Sequence, residues 1–79
     1  MSAVLSDLRA GESGTITGFV SENAITARLM QLGVLEGEHV DVIRRAPVGD
    51  PIEIRILGYA LSLRGAEASL VYVDTGSST

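Results

Sequence analysis

The chain has no cysteine and no lysine. The first absence excludes disulfides, thiolate metal sites, iron–sulfur clusters and cysteine nucleophiles. The second excludes a phosphate-cradling P-loop, whose glycine-rich run works together with a lysine. Cationic clusters are missing too. All 6 basic residues are arginines, only Arg44 and Arg45 are neighbours, and 10 acidic residues bring the formal net charge to −4. The sequence pI is about 4.7. Phosphate contacts need grouped cations, so nucleic acid is not an expected partner. Long apolar runs are also lacking. The charge-free stretches Ser13 to Ser21 and Ile56 to Leu63 fall far short of the roughly 20 residues of a membrane span. No basic region followed by an apolar core opens the chain, so neither a signal peptide nor direct membrane insertion is expected.

What remains describes a small folded domain. The 79 residues are 46% hydrophobic and 20% charged, a composition that can bury one core, though only a modest one. Leu5 and Leu8 make a lead-in segment that Gly11 closes. Ser13 to Val20 is rich in β-branched residues and reads as a strand, with Gly14 and Gly18 marking a bulge or bend. Ala24 to Leu32 reads as a helix capped by Asn23 or Ser21, with Ile25, Leu29 and Leu32 on one apolar face. Gly33 stops it in a Schellman ending that brings Val34 back onto Leu29.

His39 to Ala46 and Ile52 to Leu57 read as two strands around the turn-rich Ala46–Pro51 segment. Matching their apolar faces pairs Ala46 with Ile52 and sets Arg45 opposite Glu53. A second hairpin is expected at Gly58-Tyr59, with glycine first as in a type II′ turn. Tyr59 to Leu63 forms the next strand, Arg64 to Ser69 a helical turn, and Leu70 to Val73 the last strand. The expected fold is mainly β with one or two short helices, a small SH3-like, partly open five-stranded barrel. An OB-like barrel is the rival. The domain should run from residue 5 to 73, between a disordered N-terminus (1–4) and a disordered tail (74–79).

Few residues could carry chemistry. His39 and Asp41 lie two apart on one strand face and could touch, but no serine sits in a strained elbow nearby. His39, Asp41 and Glu38 could together form a weak divalent site, although structural zinc favours several Cys or His ligands. No catalytic set is visible, and an enzyme is not expected. Arg64 and Glu67 are spaced for a local ion pair. Met30 with Ala27 is either covered by the segment around Leu35 or an adaptable apolar contact.

The order of these signals is recognisable. Leu5-Ser6-Asp7-Leu8 leads to Gly11-Glu12-Ser13-Gly14-Thr15-Ile16. Then come Arg28 to Gly37, Ala46 to Pro51, Gly58, Leu61-Ser62-Leu63-Arg64 and Glu67-Ala68. From Leu5 to Val73 this resembles the ferrous iron transport protein A (FeoA) family, although many members have proline where Glu36 stands. The resemblance implies a cytosolic SH3-like barrel that is accessory to the membrane-embedded ferrous iron transporter B. It also implies a peripheral location at the inner face of the membrane, and supplies no catalytic residues. Contact through the helix outer face (Ala27, Met30, Gln31) and the loop Pro47, Val48, Gly49, Asp50, Pro51 is the expectation. The alternative is a metal-responsive module holding Fe²⁺ or Mn²⁺. Open barrel edges and an apolar Met30 leave room for self-association.

Overall fold

The computed structural model describes residues 2–76. Strands β1 (Ser2–Val4), β2 (Ser13–Phe19), β3 (His39–Arg45), β4 (Ile52–Ile56), β5 (Tyr59–Leu63) and β6 (Val71–Asp74) form one antiparallel sheet. Its order is β1-β6-β2-β3-β4-β5. A 3₁₀ turn (Leu5–Asp7), helix α1 (Ala24–Gln31) and the four-residue helix α2 (Gly65–Ala68) complete the chain.

The mainly β, partly open architecture is as expected, with one strand more than the five anticipated. Ser2–Val4, expected to be disordered, pairs with β6 from Ser2↔Asp74 to Val4↔Tyr72. Its extended backbone satisfies the ladder groups β6 would otherwise leave open. Asp74, assigned to the tail, closes β6. Thr75 and Gly76 follow outside any strand, while residue 1 and residues 77–79 of the expected disordered ends lie outside the described residues.

β2 organises the curl. Ser13, Gly14 and Thr15 pair with β3, whereas Thr15 to Phe19 pair with β6. The β6 register slips between Ile16 and Gly18, so one extra residue bends the strand where glycine was expected to mark a bulge. Gly14 answers a closer constraint, since a Cβ there would lie 2.9 Å from the Asp74 carbonyl oxygen. Ile16, Val40, Val42, Ile52, Ile54, Ile56, Val71 and Val73 point inward and are fully buried or nearly so. Leu5 and Leu8 of the lead-in segment are buried and seal the core from the N-terminal side.

A second slip lies between Val42 and Arg44, where two residues of β3 oppose one of β4. It corrects the expected register. Arg44, not Arg45, faces Glu53, with Nε 2.8 Å from Oε1. Arg45 pairs with Ile52, and its Nη1 donates to the Ser6 and Leu8 carbonyls at 2.7 Å each. The bulge thereby turns an arginine onto the lead-in segment and pins it.

The β4–β5 turn is corrected as well. Ile56 pairs with Tyr59, so Leu57 and Gly58 are the central residues, at φ 52° and 82°. Two positive φ values belong to a type I′ turn, whose backbone twist suits a two-residue hairpin. Leucine is a costly choice there, because its Cβ crowds the left-handed conformation.

Candidate docking surface

Helix α1 begins as expected. The Asn23 side-chain oxygen accepts from the Ile25 and Thr26 amides at 2.9 and 3.1 Å. It also ends as expected. Val34 N–H donates to the Leu29 carbonyl and Gly33 N–H to that of Met30, both at 3.0 Å, in a Schellman pattern with Gly33 at φ 100°. Its buried face keeps Leu29 of the expected three and replaces Ile25 and Leu32 with Thr26. Thr26 and Leu29 are fully buried, while Ile25 and Leu32 are 42% and 38% exposed. Thr26 can face inward because its hydroxyl donates to the Asn23 carbonyl and accepts from the Asn23 amide.

The rotation of α1 decides what its residues present. Ala27 and Gln31 are exposed. Met30 is half-buried and lines a groove of about 470 Å³ with Gly18, Phe19, Glu22, Leu35 and Glu36. Its apolar lining is half-buried Phe19 and Met30 with exposed Leu35, joined by two exposed carboxylates, Glu22 and Glu36. This groove escaped the sequence reading, because it joins the end of β2 to the turn after α1. The legible signals were Met30, expected as a contact or as covered by the segment around Leu35, and Leu35 itself.

The other expected contact, the Pro47–Pro51 loop, projects Val48 at 90% exposure. It and α1 are anchored to the same short helix. Asp50 Oδ1 accepts from Gly65 N–H at 2.7 Å, and Glu67 pairs with Arg28 of α1. The Arg64–Glu67 ion pair anticipated from spacing is therefore replaced. Glu67 accepts the backbone N–H of Arg64 at 2.8 Å and spends its other oxygen on Arg28. A third exposed apolar group gathers beside the β4–β5 turn. Leu57 packs over Gly33, where a Cβ would meet its Cδ1 at 2.6 Å, and the Tyr59 hydroxyl donates to the Leu32 carbonyl.

His39 and Asp41 do touch, Nε2 to Oδ1 at 2.8 Å, and both are solvent-exposed. Glu38 is half-buried, and its carbonyl accepts from Ile16 N–H at 2.9 Å. Among the described residues no three His, Asp or Glu side chains converge as metal ligands would. A second groove, near 430 Å³, lies by the lead-in segment. Its acids are taken up by turns: Asp7 accepts from Val4 N–H at 3.3 Å and Glu12 from Arg9 N–H at 2.6 Å. Asp74 titrates below the usual carboxylate range, foremost because Gly76 N–H donates to it at 3.0 Å. No helix among the described residues is long and apolar enough to cross a membrane.

A small, curled antiparallel sheet of this order has the form of an SH3-like domain. The FeoA domain family model matches residues 3–75, and the chain belongs to that family. The FeoA protein of Chlorobium tepidum is 38% identical and superposes with a TM-score of 0.87, over 98% of this chain and 73% of that one. A zinc-complexed FeoA of Stenotrophomonas maltophilia, described as an SH3 domain protein, is 32% identical with a TM-score of 0.83, covering 95% and 93%. An Fe(2+) transport protein A/Fe(2+) transporter FeoB fusion protein of Porphyromonas gingivalis is 31% identical over 74 residues. That match covers 94% of this chain, which spans only 9% of the fusion protein's length.

Proposed function

We propose that this chain is an accessory protein of ferrous iron uptake, docking on the cytosolic region of the membrane transporter FeoB and modulating it by protein–protein contact. The single observation that carries this reading is the Porphyromonas gingivalis fusion, in which the same kind of domain shares a polypeptide with the transporter. Fusion holds a domain beside its partner at high effective concentration. A separate chain must achieve the same proximity through its surface. Here that surface comprises Ala27, Met30 and Gln31 on α1 and the Pro47–Pro51 loop. The protein then resides in the cytoplasm, peripheral to the inner face of the membrane through its partner.

The test is binding to the transporter's purified cytosolic region without nucleotide, with GDP and with a non-hydrolysable GTP analogue. Saturable binding in at least one state is expected. No binding in any state, together with unimpaired iron uptake when the gene is deleted, would refute it.

A second reading, a metal-responsive module with His39, Asp41 and Glu38 as ligands, draws on the 2.8 Å His39–Asp41 contact. Two touching side chains fall short of the ligand sets that hold transition metals firmly, so it ranks below the first. Titration with Mn²⁺ or Fe²⁺ while the His39 ring resonances are followed separates the two. An imidazole that shifts saturably at micromolar metal supports the module, and an unmoved one removes it.

A further inference from the structure

We infer that the groove of Phe19, Met30 and Leu35 receives an apolar side chain flanked by arginine or lysine, presented by the cytosolic region of the transporter. The inference rests on the docking reading above and adds the chemistry of the docked segment.

The carboxylates carry the argument. Asp7, Glu12, Asp41, Asp50, Glu53, Glu67 and Asp74 each accept a hydrogen bond or ion pair within the chain. Glu22, Glu36 and Glu38 have no such partner among the described residues. Two of those three, Glu22 and Glu36, line the groove and are exposed. No cationic side chain among the described residues lines the groove, so the two carboxylates leave it with a negative field, offset only in part at Glu22 by the N-terminal end of α1. Beside them, Phe19 and Met30 are half-buried and Leu35 is 43% exposed. Methionine is unbranched and can re-pack around an incoming side chain. An apolar lining joined by two carboxylates fits an apolar residue with cationic neighbours. The same carboxylates repel an anionic lipid surface, which removes the membrane itself as occupant.

The experiment uses the whole chain and the transporter's cytosolic region, with affinity measured at low and high salt. The double variant Glu22→Gln/Glu36→Gln leaves the core untouched. It should bind about fivefold more weakly at low salt and lose most of the salt dependence. Met30→Ala should weaken binding about tenfold with the salt dependence kept. A double variant that binds with unchanged affinity and unchanged salt dependence would overturn the groove assignment and leave the docking reading intact. Failure of the wild-type chain to bind would sink both. Self-association abolished by the same substitutions, with transporter binding unaltered, would assign the groove to a second copy and also overturn the inference.

Discussion

Of the three short helical elements, the 3₁₀ lead-in turn and α1 are finished in different ways. At the lead-in segment, Leu5 is 0% and Leu8 2% exposed, and Arg45 holds the carbonyls of Ser6 and Leu8. At α1, only Thr26 and Leu29 are buried, while Ile25, Leu32 and the following Leu35 stay open to solvent. Both regions carry apolar residues that could have been packed. Both border a groove, but the lead-in side has its leucines buried and its carboxylates, Asp7 and Glu12, bound to backbone N–H groups, whereas the α1 side keeps exposed aliphatics and two free carboxylates. In a domain this small, unburied leucines are stability forgone. The side that forgoes it is the side we assign to a partner.

That contrast can be broken by substitution. The largest effect should come from Leu5→Ala, which removes about 2–4 kcal/mol of stability by leaving a cavity in the sealed end. Ile25→Ala, the same kind of truncation on the open side, should cost less than about 1 kcal/mol. Urea unfolding of both variants decides, and equal losses would erase the distinction.

Arg45→Met comes next. It keeps the aliphatic length but strands two carbonyls, so a loss of about 1–2 kcal/mol is expected. Hydrogen exchange should then speed up in the lead-in segment and not in α1. Faster exchange in α1 instead would show that the pin acts on the wrong element.

The smallest effect concerns the β4–β5 turn. Leu57→Asn puts a residue suited to positive φ where leucine sits at 52°. A gain of about 0.5 kcal/mol is expected, read as a raised melting temperature. A clear loss would mean that the packing of Leu57 over Gly33 outweighs its backbone strain.

Much of this was legible in the sequence, and the failures are instructive. Alternation placed β2 to β6, and Asn23 and Gly33 bracketed α1, because caps and pleats are local chemistry. Bulges are not. One extra residue between Val42 and Arg44 moved Glu53 from Arg45 to Arg44 and turned Arg45 toward the lead-in segment. The face of α1 was misjudged for a related reason. Three aliphatics at helical spacing outweighed a threonine, yet Thr26 meets its hydrogen-bonding needs locally and so can be buried. Ser2–Val4 carries too short a pattern to read as a strand, and only its pairing with β6 makes it one. Of the contact residues expected from sequence, Met30 lines the groove; Phe19, Glu22, Leu35 and Glu36 join it only through the fold.

The most direct measurement is a backbone amide NMR titration of the ¹⁵N-labelled chain with the transporter's cytosolic region. Saturable shifts are expected at Phe19, Glu22, Met30, Leu35 and Glu36, with the amides of Leu5 to Leu8 unmoved. Shifts centred on Leu5 to Leu8, or none at saturating partner, would contradict a domain that meets its partner at α1 rather than at the lead-in segment.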